Sequence, residues 1–469
     1  MLLGFPLGLG YIASYLLKHG NYEVKIIDSL IDNLSIEDLL HIIRDFDPHY
    51  IGMTIYTVLS KPAVQLAQKI KKEFPDKYII GGGAHASDDY HNLLTRYPYF
   101  DFIVKDEGEI TLFELLETLN TGKLSLTSIK NVKGIAYRDP NSKEIILTEK
   151  RKLVKNLDEL PPPARHLVNF EKYIKRDTLL PYSIELMSSR GCTHRCVFCS
   201  FQSVWRSRSG EEMIKEMKDL IKSYPKVKSF LFYDDNFSVH KQRVIDLCKI
   251  IIREKLQNYQ WSALCRADQM NEEMLIWMKK AGCTKIMYGL ESGDDSILKT
   301  LNKRLNALQV KNCVDLTNRV GINCLTFFII GNPGETFETV NNSYKFSKQL
   351  KCESTVWSIM QVYPGTALAQ WQPCEDFVSY LYKPEIKNSS DFMSANLPIY
   401  NNPALDREQL KALHKKIFRK AMIHKAIHHP FFTFKRVFFM PGPIFRFFLR
   451  LIKREKKHTY TNAFSHSTN

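Results

Sequence analysis

The sequence predicts an α/β protein with an N-terminal doubly wound parallel sheet, then a partial (β/α)6 barrel, then a helical, basic C-terminal region. Three observations predict it. Apolar runs of strand length alternate with amphipathic runs of helix length, in two successive series. A proline-rich connector separates the series. Glycine or polar residues close strand after strand, at the ends where open α/β sheets and barrels bind ligands. The 469 residues leave room for two or three domains. They divide into 1–150, a linker at 151–181, a core at 182–400 and a tail at 401–469.

In the first series the strand candidates are Val24–Asp28, Tyr50–Tyr56, Tyr78–Gly82 and Asp101–Val104. Helical patterns cover Leu9–His19 and Lys61–Glu73, with Gly20 placed to cap the first and Pro75 to stop the second. The strands would end at Asp28, at Thr54–Thr57, at Gly81-Gly82-Gly83-Ala84-His85 and at Asp106-Glu107-Gly108-Glu109. Thr54, Gly81, Gly82 and Gly83 are the candidate cofactor contacts, because glycine at a strand end lets a ligand approach the backbone closely. The connector Leu157-Asp-Glu-Leu-Pro-Pro-Pro-Ala-Arg165 reads as extended and stiff.

The second series has strands at Ser183–Ser188, Lys228–Tyr233, Gln260–Leu264, Lys285–Gly289, Leu325–Ile330 and Val356–Val362. Helices fall between them, among them Gly210–Ser223, Lys241–Glu254 and Asn306–Val320. Just after the first strand comes Arg190-Gly-Cys192-Thr-His-Arg-Cys196-Val-Phe-Cys199-Ser. Three thiolates at this spacing can hold three irons of a [4Fe–4S] cluster and leave the fourth iron open to a small molecule. A zinc site with His194 as a further ligand is the alternative, although no second cysteine pair follows. The remaining strand ends carry Asp234 and Asp235, Arg266 and Asp268, Glu291 with the later Lys303, and Gly331.

All ten cysteines lie at or after Cys192, which is not a disulfide framework and points to a reducing, cytoplasmic setting. The seven outside the loop read as buried small hydrophobes. Net charge is +16, but residues 407–469 hold 15 Lys/Arg against two acids, so the first 406 residues carry only +3. That balance argues against nucleic-acid binding by the body of the protein. No signal peptide or apolar run of spanning length is visible. A basic helix is expected from about Asp406, packed on the barrel. In residues 431–457 aromatic residues interleave with Lys/Arg. This pattern fits contact with the inner membrane face and core covering equally, and membrane contact would favour a lipid substrate. Thr459–Asn469 reads as disordered.

The cysteine loop resembles the signature of the radical S-adenosylmethionine (SAM) superfamily, down to Phe198 before the last cysteine. The order of the strand-end segments after it is similar to that of the cobalamin-dependent class. Pro6-Leu-Gly-Leu-Gly-Tyr-Ile-Ala-Ser-Tyr-Leu16, Gly81–Ser87 and Asp106–Leu112 resemble the cobalamin (B12)-binding domain that precedes many such cores. The resemblance implies a [4Fe–4S] cluster on Cys192, Cys196 and Cys199, SAM on the open iron, a 5′-deoxyadenosyl radical, and an external electron donor of flavodoxin or ferredoxin type. Arg266 and Glu291 become candidates for the methionyl and ribose groups of SAM. Asp234 and Asp235 would face SAM or a small-molecule substrate, and Gly331 the adenine. A cap or a salt bridge within the barrel is the plain reading of each. The implied reaction is methylation of an unactivated carbon, with cyclisation or rearrangement without cobalamin, or a non-catalytic iron–sulfur module, as alternatives. Two departures stand out. The chain opens inside the family's first helix, so the strand that normally precedes it is missing. No Asp-x-His-x-x-Gly motif is present, so neither His85 nor His91 is assigned to cobalt.

Overall fold

The computed structural model describes residues 4–120, 126–174, 180, 182–200, 204–371 and 400–428. The N-terminal sheet has five strands in the order β1 (Tyr50–Thr54), β2 (Tyr78–Gly82), β3 (Phe102–Val104), β4 (Ile135–Arg138) and β5 (Ile145–Leu147). The first three are parallel, with Tyr50 opposite Tyr78 and Ile80 opposite Phe102, while β4 and β5 run antiparallel. Alternation along the strands sends side chains to two apolar layers. Ile79, Ile103 and Ala136 pack with Val64, Ala67, Ile70, Leu93 and Leu94 of the helices on one face. Ile80, Phe102, Val104 and Ile135 pack with Leu16, Leu115, Leu116 and Leu119 on the other. The sheet is therefore doubly wound, as expected.

Two details differ from the expectation. Val24–Asp28 forms no strand: residues 21–28 have no regular structure and no strand lies beside them. A β-conformation needs a neighbour to take its N–H and C=O groups, and apolar character alone does not supply one. The β4–β5 hairpin was not expected. Its turn is built by Asp139, whose carboxylate accepts from the N–H groups of Asn141 and Ser142, with Lys143 in the left-handed region.

The core sheet has six parallel strands in chain order: β6 (Ser183–Leu186), then β9 (Ser229–Phe232), β10 (Gln260–Cys265), β11 (Cys283–Glu291), β12 (Asn323–Ile330) and β13 (Ser354–Ile359). Between β6 and β9 lies a short antiparallel ribbon, β7 (Ser189–Arg190) with β8 (Arg206–Ser207). The outer face of the sheet joins the helices in the largest core, around Phe230, Trp261, Ile286, Tyr288, Phe328 and Trp357. Leu231, Met287 and Leu325 form a small inner cluster. A sheet buried on both faces reads as near-continuous apolar runs, which is why most core strands are where the sequence puts them; β13 buries only Trp357.

Two further segments complete the frame. Helix Arg407–His428 lies along β13, with His414 Nε2 2.8 Å from the Trp357 carbonyl and Leu410 and Ile417 buried in the main core. It packs on the barrel as expected. The linker is pinned to both domains at Ala164 and Arg165. The Ala164 N–H donates to Gly10 O at 2.9 Å, and Arg165 donates to Glu216 at 2.7 Å and to Glu185 O at 2.8 Å. Among the described residues no helix is long and apolar enough to cross a membrane. Residues 431–457 and Thr459–Asn469 lie outside the described residues.

Candidate active site

The β7–β8 ribbon closes the base of a loop that carries Cys192, Cys196 and Cys199. Cys196 is buried, the other two are half-buried, and none is in a disulfide. The loop is tied down from the far side of the barrel. The Val197 N–H donates to Leu301 O at 3.2 Å, Leu368 N–H donates to Val197 O at 2.9 Å, and Asn302 Nδ2 donates to Arg195 O at 2.7 Å. Two donors point at sulfur: Asn236 Nδ2 is 3.9 Å from Cys192 Sγ, and Arg266 Nη1 is 3.7 Å from Cys196 Sγ. An amide N–H and a guanidinium there place hydrogen-bond donors beside two of the sulfurs. Among the described residues no three His, Cys, Asp or Glu groups gather around a single metal-ion position. A [4Fe–4S] cluster asks for something else, three thiolates on three separate irons, and this loop with its donors fits that group. His194 faces Gln269, its Nε2 3.2 Å from the amide nitrogen. Cys248 and Cys313 are buried and Cys352 half-buried, and burial pushes their thiols up to about 12, 11 and 12.

The strand-end residues cluster at the same carboxyl edge. Asp234 is buried after β9 and accepts from Ser188 N at 2.7 Å, Ser188 Oγ at 2.5 Å and Ser189 Oγ at 2.7 Å, so it shapes the entry to the cysteine loop. Asp235 accepts from Gly191 N at 2.8 Å, and burial pushes its carboxyl above the ordinary range. Arg266 forks onto Asp268, with both bonds at 3.0 Å, and donates to Lys303 O at 2.5 Å. Glu291 sits at φ +69° and accepts from Lys303 Nζ at 2.9 Å, while Lys303 also reaches Gly289 O at 3.0 Å. Gly331, at φ +81°, lies under Leu410 of the C-terminal helix, and its N–H donates to buried Glu335. Arg266 and Glu291 thus each hold an ion-pair partner at the edge of the site, next to the cluster loop in the case of Arg266.

The N-terminal sheet brings its own carboxyl edge to this place. Thr54 and Gly82 are opposite each other at the ends of β1 and β2. A Cβ on Gly82 would meet nothing nearer than Val104 O at 3.7 Å, so the backbone there is open to a flat ligand. Gly81 is different, since Ile103 and Ile55 fill the space beside it. Gly83, at φ +90°, tucks under Thr54 Oγ1. His85 is 1% exposed and burial pushes its imidazole down to about 4, so it is neutral there.

Two contacts set the two edges face to face. Gly365, after β13, packs on the Asp88 side chain. Glu107 and Glu109 reach Arg190 and Arg206 at the base of the cysteine loop. Tyr233 follows β9, and Tyr56 follows β1. Both are about half exposed, so the space between the edges is open. The sequence reading named the 106–109 segment without giving it a role, and it missed Arg190, Arg206 and Asn236. The one signal was position: Arg190 is two residues before the first cysteine.

Residues 186–347 match the model of the Radical SAM superfamily, and residues 2–116 match that of the B12 binding domain. An uncharacterized methyltransferase of Pyrococcus horikoshii is 34% identical over 372 residues, which is 78% of this chain and 78% of that protein. This chain belongs to the radical SAM superfamily. It is a radical SAM enzyme with a B12-binding domain ahead of its core, and its cofactors are a [4Fe–4S] cluster, SAM and cobalamin. The anaerobic magnesium-protoporphyrin IX monomethyl ester cyclase of Rubrivivax gelatinosus is 27% identical over 434 residues, 91% of this chain and 75% of its own. The solved structure of the cobalamin-dependent SAM radical enzyme OxsB, with aqua-cobalamin and SAM bound, shares the fold. Its TM-score is 0.72 at 20% identity, covering 97% of this chain and 69% of that one.

Proposed function

We propose that this radical SAM enzyme is a C-methyltransferase that acts on an unactivated carbon of a small molecule. The observation that carries this reading is the confrontation of two carboxyl edges: the cysteine loop on one side, the open backbone at Thr54 and Gly82 on the other. When bound, the cluster with SAM supplies radical hydrogen abstraction, and cobalamin supplies a methyl group. The protein's part is placement and exclusion of water. Cys192, Cys196 and Cys199 would hold the cluster. Asn236 and Arg266 would steady two of the sulfurs. Asp234 and Asp235 fix the start of the loop, and the Glu291–Lys303 pair presents charge to the ribose or methionyl end of SAM. Thr54, Gly82 and Gly83 would border the corrinoid, and Gly331 the adenine. An external donor of flavodoxin or ferredoxin type would reduce the cluster. The names of these two relatives give methyl transfer for the uncharacterized Pyrococcus horikoshii protein and cyclisation for the Rubrivivax gelatinosus one, and the first is favoured because that relative is the more similar of the two.

Product analysis separates the two. After anaerobic reconstitution with iron, sulfide and hydroxocobalamin, the reduced enzyme is incubated with SAM. A methyltransferase consumes SAM in two ways and yields both S-adenosylhomocysteine and 5′-deoxyadenosine. The Cys196→Ala variant is expected to lose 5′-deoxyadenosine altogether. Wild-type enzyme that binds corrinoid and makes 5′-deoxyadenosine but no S-adenosylhomocysteine would point to cyclisation or rearrangement instead.

A further inference from the structure

We propose that Glu107 and Glu109, carboxylates of the B12-binding domain, are positioning residues for the iron–sulfur loop of the core. The proposal rests on the assignment of the cluster to Cys192, Cys196 and Cys199. The ribbon that closes this loop is two residues long on each side, Ser189 opposite Ser207 and Arg190 opposite Arg206. A ribbon this short is not stable by itself. It also sets two guanidiniums directly opposite each other, a pairing that repels. Both arginine side chains are largely buried, at 14% and 9% exposure. Two like charges in such a place need counter-charge.

The counter-charge comes from the other domain. Glu107 Oε1 accepts from Arg190 Nη1 at 3.1 Å and lies 2.9 Å from Arg206 Nη1, which also donates to Oε2 at 3.0 Å. Glu107 Oε2 takes a further bond from Val154 N at 3.1 Å. Glu109 Oε1 accepts from Arg190 Nη2 at 2.6 Å. Two carboxylates thus neutralise two guanidiniums, and Glu107 is the only one of the four groups that bonds both rails of the ribbon. Without Glu107, the contacts of Arg206 given by the structure are two carbonyls, Val204 O at 3.2 Å and Val154 O at 2.8 Å. The consequence is specific. The core alone supplies the cysteines, but the shape of the loop that presents them depends on a group in the domain that holds the corrinoid. Cluster retention and docking of the two domains are therefore one property.

The test uses the full-length chain, reconstituted with iron and sulfide, and follows iron loss to a chelator under anaerobic conditions by the decay of cluster absorbance. Loss of a group that orients metal ligands costs about 10- to 100-fold in metal affinity, so Glu107→Gln is expected to lose iron at least about tenfold faster than wild type. Glu109→Gln, which leaves Arg190 its bond to Glu107, is expected to show a smaller change in the same direction, and it serves if Glu107→Gln does not fold. Hydroxocobalamin titration is the readout that a merely structural role would move together with iron loss, and it is expected to stay near wild type. The melting temperature of Glu107→Gln is expected to fall, because two largely buried guanidiniums lose counter-charge. The Glu114→Gln variant, which breaks the Arg151–Glu114 pair inside the same domain, is expected to retain iron. Equal iron loss in Glu107→Gln, Glu114→Gln and wild type would overturn the proposal, as would a collapse of corrinoid binding in parallel with iron loss. A wild-type chain that takes up no cluster at all would instead sink the cysteine assignment beneath it.

Discussion

The core sheet and the N-terminal sheet use the same strand–helix unit, yet their edges are finished differently. In the core, six parallel strands follow chain order, and helix Arg407–His428 lies along the outer strand β13. In the N-terminal sheet, β1 is the edge, no described strand lies beyond it, and Gly52 at its centre is exposed. The opposite edge is an antiparallel hairpin rather than another crossover. Parallel strands depend on cover from both faces and from neighbours. The contrast teaches that the outer strand of the core sheet is covered by a helix, whereas the β1 edge of the N-terminal sheet has no described strand beyond it.

The sharpest way to break this comparison is to truncate one strand side chain in each sheet. Phe328 is fully buried in β12 and stacks on Trp357 with ring centroids 4.6 Å apart. Phe328→Ala is expected to cost about 3–5 kcal/mol. Ile51, in β1, is only partly buried, and Ile51→Ala is expected to cost about 1 kcal/mol, since half-burial realises only part of the usual 1.5–3 kcal/mol. Denaturant unfolding with hydrogen exchange read separately over each sheet checks both values. Equal costs at the two positions would mean that the β1 edge is covered in a way the half-exposed strand does not suggest.

A second prediction sets the two sheets against each other in pH. His85, after β2, is held neutral by burial, which pushes its imidazole down to about 4. Its Nε2 is 3.6 Å from Asp89 Oδ2. That separation is within ion-pair range but too long for a hydrogen bond, and burial outweighs it, because Asp89 is itself pushed up by burial. A depressed histidine stabilises fully above the unfolded value near 6.5, and that stability is lost as pH falls toward 4. Glu335, after β12, is completely buried and pushed up by burial to about 7, against the pull of bonds from Gly331 N, Asn332 N and Asn332 Nδ2. Its contribution is complete below the unfolded value near 4.5 and is lost as pH rises through 7. Each effect is of the order of 3 kcal/mol at its limit. The N-terminal sheet should therefore weaken on the acid side and the core on the neutral side. Local exchange protection measured from pH 4 to 8 tests this, with His85→Gln and Glu335→Gln each flattening one limb only.

Those differences also explain what the sequence disclosed. Most core strands are legible because burial on both faces writes a near-continuous apolar run, as in Ser229–Phe232, where every residue is buried; β13, which buries only Trp357, is legible from its β-branched and aromatic residues. The cysteine loop was legible because spacing alone carries its chemistry. Val24–Asp28 misled because an apolar run does not say whether a neighbouring strand exists. The hairpin at 135–147 has a readable turn in Asp139-Pro-Asn-Ser, but its strands, of four and three residues, are too short for a period to stand out. The ion pairs that organise the site, Arg266 with Asp268, Glu291 with Lys303, and Arg190 and Arg206 with Glu107, join residues up to 99 positions apart. Residue types show that such charges must find partners, and only the fold shows which.

The smallest expected effect separates backbone from ligand in the glycine run at 81–83, and it does so by comparison within three residues. Gly83 has φ +90° and ψ 177°, a conformation that is nearly exclusive to glycine, and an added Cβ would lie 2.9 Å from Thr54 Oγ1. Gly83→Ala is expected to cost about 1–3 kcal/mol with or without corrinoid. Gly82 is not in the left-handed region and has open space beside it, its nearest neighbour being Val104 O at 3.7 Å. Gly82→Ala should leave apo-protein stability within about 0.5 kcal/mol of wild type, because a methyl group there displaces nothing. If the corrinoid lies against this edge, the same methyl group occupies the space of the ligand, and hydroxocobalamin affinity falls while stability does not. Thermal melts of the apo-protein beside hydroxocobalamin titrations of both variants give the four numbers required. Unchanged corrinoid affinity in Gly82→Ala would move the macrocycle away from the β2 end and toward another part of the edge.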